Sequence, residues 1–571
     1  MTRRIVRTGI QLGALFTIVL FLVFLLDNRY SVLPASIHNA LPAHHPGLVI
    51  TDITIKTCSS LNPLSSCRLD PELWHRVEKD LYLSSGWVSS AWVHVKRKRE
   101  EELQPGDKVV LDVKISRLDP AVGEKEQAGE KWEARPAGVW LKRGGKRHDS
   151  DKKGTVTAVD VLFGADAVEP RPGWQLLDTP LLLDAGSEIP QARLSVRRGK
   201  PSDVSRKKEK EKWQPRVRKD GKFKIMQVSD LHLSTGTGAC RDPMGVKVGT
   251  KCEADTRTLE FVGKMLDEEQ PDLVVCSGDQ VNGDTAPDGE SAIFKFAELF
   301  IKRQIPYAAI FGNHDDEGKP SLSRAAQMSL LESLPYSLSE AGPDDVDGIG
   351  NYVIEVLAPG TSTHSALTLY LLDTHAYSPD EGTFPGYGWV KPSQIRWFRD
   401  TAQDLKKAHS KYTHIHLDMA FIHIPLPEYR DATLARTGSW REPPTAPVFN
   451  SGFRDALVDA GIVAVGCGHD HVNDYCALST VPNTSSSSEG GDKGTGDGKP
   501  ALWMCYAGAS GFGGYGGWGG YERRLRVWEF DANEAKLATW KRVEGPGDAE
   551  RKARLDEGVV VEGGRVVGLA T

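Results

Sequence analysis

The chain has 571 residues, 39% of them apolar and 26% charged, and a formal net charge of -6. This is ordinary globular composition with room for two or three domains. The slight acidity gives no bulk electrostatic footprint for nucleic acid, so none is expected as a partner.

The N-terminus comes first in chain order. Arg3, Arg4 and Arg7 precede an apolar run from Ile10 to Leu26, broken only by Gln11, Gly13, Ala14 and Thr17. Its length is at the short end for a membrane-spanning helix. Asp27-Asn28-Arg29-Tyr30 follows in place of a small-x-small cleavage site, which favours a signal anchor over a cleaved signal peptide. Residues 1–30 are therefore read as a cytosolic tail and anchor. Arginines on the N-terminal side predict a single-pass type II membrane protein of the secretory pathway, with the bulk of the chain lumenal. A cytosolic catalytic part is the alternative topology.

Residues 47–200 carry a weak internal repeat. "ITDITIK" at 50–56 answers "VTAVDVL" at 156–162, and "AWVHVKRK" at 91–98 answers "ARLSVRRG" at 192–199. Trp74 and Trp174, like Leu81 and Leu181, keep one register. Apolar alternation, as at Val93 and Val95, predicts strands and hence a small β-rich domain of two similar units. No residues there form a chemical constellation, and a packing or positioning role is the default. Residues 197–224 hold thirteen Lys or Arg. The segment 201–221 reads as a solvated basic linker, with contact to anionic lipid or a phosphosubstrate as the alternative.

From 222 to 535 the texture is α/β. Strands are expected at Phe223–Val228, Leu273–Cys276, Tyr307–Phe311, Leu367–Leu372, Leu417–Ile422 and Ile462–Val465. Helices are expected at Asp255–Asp267, Ser291–Arg303, Leu322–Leu334, Pro392–Lys407 and Ser451–Ala460. This alternation predicts a layered α/β domain. Residues 483–497, with the sequon Asn483-Thr484-Ser485, read as a low-complexity insertion, and 536–571 as a C-terminal extension. Of the eight cysteines, Cys58 with Cys67 and Cys240 with Cys252 are close enough in sequence to pair in an oxidising lumen. Cys276 reads as a core residue.

The chemistry gathers where strands end. Successive apolar runs lead into Ser229-Asp230-Leu231-His232, Ser277-Gly278-Asp279, Gly312-Asn313-His314-Asp315, His423, and Gly468-His469-Asp470-His471. In open α/β sheets, ligands collect outside the carboxyl ends of strands. Two carboxylates, one amide and four imidazoles exceed the needs of one ion, and a bridging carboxylate would let them serve two. His-x-His places two rings on one side if the segment is extended. The N/O mixture suits Fe, Zn or Mn, while the lack of thiolates argues against structural zinc.

Taken in order, D-x-H, G-D, G-N-H-D, H and G-H-x-H resemble the calcineurin-like metallophosphoesterase superfamily. "YGWVKPSQIRWF" (387–398), "FIHIPLPEY" (421–429), "GHDHVNDYC" (468–476) and "GGYGGWGGYERRLRVWEF" (513–530) look like fungal membrane-anchored phosphatases related to the purple acid phosphatases. The resemblance implies a metallophosphoesterase β-sandwich flanked by helices over 222–535. It also implies that Asp230, His232 and His471 hold one metal ion, that Asp279 bridges, and that Asn313, His423 and His469 hold the other. His314 would donate a proton to the leaving oxygen, and a hydroxide bridging the ions would attack phosphorus in line. The implied function is hydrolysis of phosphate monoesters, on phosphoproteins or small phosphate esters. A phosphodiesterase or nucleotide hydrolase, and a non-catalytic membrane-anchored binding protein, are the alternatives. One position departs from the purple acid phosphatases: Asn282 stands where they carry the Tyr whose phenolate gives the colour, which leaves metal identity open. Arg523, Arg524 and His375 are expected as further substrate contacts. The Gly-rich 508–521 lacks a P-loop pattern and is expected to form tight turns whose aromatics shape the cleft wall.

Overall fold

A computed structural model describes residues 48–568 except 60, 62–66, 86–88, 122–130, 146–153, 200–212, 247–248, 319–321, 410–415, 483–497 and 546–552. The expected anchor, most of the basic linker and the low-complexity insertion lie outside the described residues. Among the described residues, no helix is long and apolar enough to cross a membrane.

The N-terminal third is built from small antiparallel sheets. The strands are β1 (Leu48–Ser59), β2 (His75–Arg76), β3 (Ser89–Arg99), β4 (Val109–Ile115), β5 (Lys131–Ala134), β6 (Val139–Gly144), β7 (Val156–Phe163), β8 (Trp174–Leu176) and β9 (Ala192–Arg198). They form three sheets with orders β1-β3-β2, β4-β6-β5 and β7-β9-β8. Each sheet places its third strand in the middle. The segments that echo each other in sequence thus occupy equivalent places in the first and last sheets, and Leu81 and Leu181 are both buried. The chain divides into two compact units. One draws on Met1–Val161, Leu177–Gly186 and Leu194–Ser202, and the other on Leu162–Leu176, Ser187–Arg193 and Asp203–Thr571.

The second unit holds two seven-stranded sheets. The first, ordered β12-β11-β10-β20-β21-β22-β23, contains β10 (Lys222–Val228), β11 (Leu273–Ser277), β12 (Tyr307–Ile310), β20 (Arg524–Asp531), β21 (Lys536–Val543), β22 (Leu555–Glu562) and β23 (Arg565–Val566). The second, ordered β13-β14-β15-β17-β19-β18-β16, contains β13 (Tyr352–Leu357), β14 (Ser365–Leu371), β15 (Leu417–Phe421), β16 (Arg436–Thr437), β17 (Ala464–Cys467), β18 (Cys476–Val481) and β19 (Lys499–Tyr506). Residues 536–566 are therefore not an extension beyond the domain. Their strands pair in series from β20 and complete its sheet.

Side-chain alternation explains the layers. On β10, Ile225 faces a core shared with Leu369, Met419 and Cys505 of the other sheet. Its neighbours Met226 and Val228 face helices α1 (Ala254–Glu269), α2 (Gly289–Arg303) and α3 (Arg324–Ser333) through Val262, Phe296 and Met328. The outer face of the second sheet is covered likewise by α4 (Pro392–His409) and α5 (Phe453–Ala460), through Phe398 and Leu457 against Ala420 and Val465. The result is a β-sandwich flanked by helices. Gln227 lies buried between the sheets with both amide ends satisfied: Nε2 donates to Ser277 Oγ and Cys467 O, and Oε1 accepts from Trp528 Nε1. β10, β11 and β12 run parallel, as do β14, β15 and β17, so their carboxyl ends collect along one edge of the sandwich.

Three disulfides tie described residues: Cys58–Cys67, Cys240–Cys252 and Cys476–Cys505. The third links directly opposed residues of β18 and β19 and has no sequence signal. Cys276 and Cys467 are free and buried.

Candidate metal centre

Five of the parallel strands deliver candidate donors within a few residues of their ends. Asp230 and His232 follow β10, Asp279 follows β11, Asn313 follows β12, His423 follows β15, and His469 and His471 follow β17. All seven are buried, each at most 6% exposed. Asp230, His232 and His471 bring donor atoms within 4.8 Å of one another, and Asp279, His423 and His469 do the same. Asp279 Oδ2 stands between the two groups, 3.2 Å from His423 Nε2 and 3.7 Å from His232 Nε2. His471 Nε2 is 3.0 Å from His232 Nε2 and 3.5 Å from Asp230 Oδ1.

The backbone is forced into this arrangement. Asp230, His232, Asp279 and His469 have φ of 55°, 48°, 54° and 79°, a region that costs a non-glycine residue about 1–3 kcal/mol. Surrounding bonds over-determine it. Asp230 N–H donates to Gly278 O and His232 N–H to Asp279 O, while Asp315 accepts from the N–H groups of Asp279, Val281 and Gly312. The left-handed turn at His469 also corrects one expectation. The His-x-His segment is not extended, and its two rings enter different clusters.

Second partners aim the rings. His423 Nδ1–H donates to Ser277 O, leaving Nε2 for the cleft. His471 Nδ1–H donates to the Tyr521 hydroxyl at 3.2 Å. Tyr515 stacks on the His471 ring, with centroids 3.8 Å apart and planes at 16°. The Gly-rich stretch permits this closeness, since a Cβ on Gly514 would lie 2.1 Å from His471 Cε1.

Charge follows from burial. Burial pushes His232 down to about 3 and holds His469 and His471 well below the usual imidazole value. It pushes the Asp230 carboxyl up. Burial opposes charge on Asp279 too, but the surrounding imidazoles, His423 foremost, hold it well below the usual carboxylate range. His423 is pushed up to about 9, because Asp279 outweighs its burial. Asp279 is thus a firm carboxylate beside three imidazoles biased to the neutral form, as ligands must be, while the upward shifts of Asp230 and His423 mark protons that a cation would displace. Asn313 Oδ1 and His469 Nε2 are buried without a hydrogen-bond partner, and His423 Nε2 faces Asp279 Oδ2. Such atoms are costly unless something engages them, so the residues fit a pair of borderline or hard cations.

His314 sits beside the clusters without joining either. Its N–H donates to Asp279 Oδ1 at 2.8 Å. Burial lowers its pKa, but Asp279 and Glu317 outweigh that and raise it. His375 Nε2–H donates to Gln394 Oε1, 2.8 Å away, and His375 is not among the clustered donors. Arg523 and Arg524 correct another expectation. Both are buried. Arg523 donates to the carbonyls of Gly511, Tyr521 and Asp242, and Arg524 pairs with buried Asp474. Their donors hold the Gly-rich turn and are spent on protein. The motif reading missed Glu317, Tyr377 and Tyr387, which line the approach to the site, and Arg324. The last ties Gly312 O and Asp316 to Asp373.

A sandwich with this set of strand-end donors defines a metallophosphoesterase, and the chain belongs to the calcineurin-like phosphoesterase family. The family model matches residues 223–473. Phosphatase DCR2 of Saccharomyces cerevisiae is 36% identical over 69% of this chain, which spans 65% of that protein, just under two thirds of its length. An uncharacterized protein of Schizosaccharomyces pombe is 31% identical over 89% of each chain. Probable inactive purple acid phosphatase 14 of Arabidopsis thaliana is 35% identical over 58% of this chain and 80% of its own length.

Proposed function

We propose that the protein is a two-metal phosphatase that hydrolyses phosphate monoesters, with phosphoproteins as the substrate class. The observation that carries this reading is Asp279 Oδ2 lying within 3.7 Å of a donor in each of the two clusters. Asp230, His232 and His471 would hold one cation, and Asn313, His423 and His469 the other, with Asp279 shared. When bound, the cations supply Lewis acidity towards the phosphoryl oxygens and a nucleophile from water at neutral pH. The protein's residues do the rest. Asp279 fixes His314 through its backbone N–H, and His314 delivers a proton to the leaving oxygen.

The names of relatives point both ways, to a phosphatase and to probable inactive phosphatases. The full donor set in this chain supports activity. The test is hydrolysis of p-nitrophenyl phosphate against bis-p-nitrophenyl phosphate after loading with Mn, Zn or Fe. Faster turnover of the monoester is expected. Preference for the diester would make the protein a phosphodiesterase, and metal binding without turnover of either would make it a binding protein.

The protein is further proposed to be anchored by residues 10–26 with this unit in the lumen. Three disulfides among the described residues support an oxidising compartment. Glycosidase-sensitive mobility that depends on Asn483 is the expected result; a chain fully accessible to cytosolic protease would reverse the topology.

A further inference from the structure

Glu317 is the third residue after His314, and its two carboxylate oxygens serve different partners. Oε2 accepts from His314 Nδ1–H, and Oε1 accepts from the Tyr377 hydroxyl. The carboxylate is largely sheltered, with 18% of its side chain exposed. The turn that carries it is pinned from behind. Gly283 N–H donates to His314 O at 2.9 Å, and a Cβ on Gly283 would lie 2.2 Å from Glu317 O. Only glycine lets the two backbones approach so closely. Tyr377 is 51% exposed at the mouth of the site and stacks on Tyr387, with centroids 5.7 Å apart and planes at 20°. Tyr387 in turn meets the His469 ring edge-on at 4.3 Å. A continuous line therefore runs from His314 through Glu317, Tyr377 and Tyr387 to a donor of the metal centre.

We propose that Glu317 is a positioning residue for phosphoester hydrolysis, orienting His314 and holding the Tyr377 phenol at the mouth of the same site. This rests on the proposed phosphatase function. A carboxylate only accepts, so it fixes the imidazole with the hydrogen on Nδ1 and leaves Nε2 as the nitrogen that meets substrate. His314 lies 5.1 Å from His232, centroid to centroid, which keeps the ring against the metal centre. In the step it serves, an oxygen from water forms a new P–O bond as the P–O bond to the leaving group breaks, and the broken bond's electron pair stays on the leaving oxygen. The oxygen takes the proton from His314 Nε2, and the ring left neutral keeps its Nδ1–H on Glu317. Without Glu317 the ring is free to turn, and the proton is offered in fewer productive geometries. Poor leaving groups need that proton most.

The experiment is a double-mutant cycle in the metal-loaded full-length chain. Glu317→Ala, Glu317→Gln, His314→Ala and the Glu317→Ala/His314→Ala pair are compared on p-nitrophenyl phosphate and on glycerol 2-phosphate, with bound metal measured in each. Glu317→Ala should lower kcat on the alkyl ester by about 10- to 100-fold, a fraction of what a general acid supplies, and far less on the aryl ester. Adding Glu317→Ala to His314→Ala should cost nothing more, because the residue being oriented is gone. Glu317→Gln retains an acceptor for Nδ1–H and should recover part of the loss. Equal losses on both esters with metal retained, or losses that simply add, would overturn the proposal. Loss of metal in Glu317→Ala alone would assign Glu317 to metal retention instead and also overturn it. Failure of the wild-type chain to hydrolyse either ester would remove the phosphatase reading itself.

Discussion

The two sheets of the sandwich have the same number of strands and each holds a parallel run, three strands in the first and four in the second, yet they bring different chemistry to their shared edge. The sheet that contains β10, β11 and β12 leads into Asp230, His232, Asp279 and Asn313, and holds both acidic donors. The sheet centred on β15 and β17 ends in His423, His469 and His471 and contributes imidazoles alone. Neither sheet completes a cluster. Each cluster takes its carboxylate from the first sheet and at least one imidazole from the second. The centre is thus a join between two layers, and metal affinity depends on how those layers are held. The glycines at the crossing show how tight the join is. A Cβ on Gly278 would lie 2.2 Å from His423 Nδ1, and one on Gly468 would lie 1.9 Å from Ser229 Oγ.

Asp279→Asn strikes the join where both clusters share it and should have the largest effect. Breaking a buried charge pair costs about 3–5 kcal/mol, so turnover of p-nitrophenyl phosphate should fall by roughly 10³-fold. Metal analysis should show losses at both clusters. Near wild-type turnover would mean that the sheets do not share a carboxylate. Removing the metals with a chelator should lower the thermal midpoint, since ligand at 100 times its Kd stabilises by about 2.7 kcal/mol. An unchanged midpoint would show that the layers hold their ends without help. Gly468→Ala should destabilise by about 1–3 kcal/mol, as overpacking does, and should loosen metal at Asp230 before metal at Asn313. Loss from both clusters together would argue that they bind as one.

The smallest effect sharpens the contrast within a single strand. β15 leads to His423 at one end and follows His416 at the other. His416 bonds to Asp418 at 3.2 Å. Burial lowers its pKa, but Asp418 outweighs burial and raises it. A raised folded-state pKa gives stability that is complete below the ordinary imidazole value of about 6.5 and is lost as pH climbs through the raised value. His416→Gln should therefore cost thermal stability at mildly acidic pH and little at alkaline pH. A loss that is flat with pH would mean that only its packing matters.

Much of this was legible in the residues. Apolar runs such as Leu273–Cys276 and amphipathic ones such as Ser291–Arg303 marked the first strands and the five helices within a few residues. The strands after Cys467 were harder to read. β20 and β21 bury Arg524, Arg526, Lys541 and Arg542, so hydropathy does not mark them as core. Arg524 and Lys541 there meet buried Asp474, a pairing visible only once the chain is folded. The candidate donors stood out because each sits within a few residues of a strand end. Glu317 and Tyr377 did not, because 60 residues separate them and only the sandwich brings them together. Trp74 stands just before β2 and Trp174 at the start of β8.

The Cys476–Cys505 bond closes a covalent ring around the low-complexity stretch 483–497, a few residues beyond His471. A protease that cuts anywhere inside that ring would sever the main chain without releasing either fragment. Such a nicked protein would run as one band on a non-reducing gel and as two after reduction, and the opposed β18 and β19 would stay tethered behind the metal centre throughout.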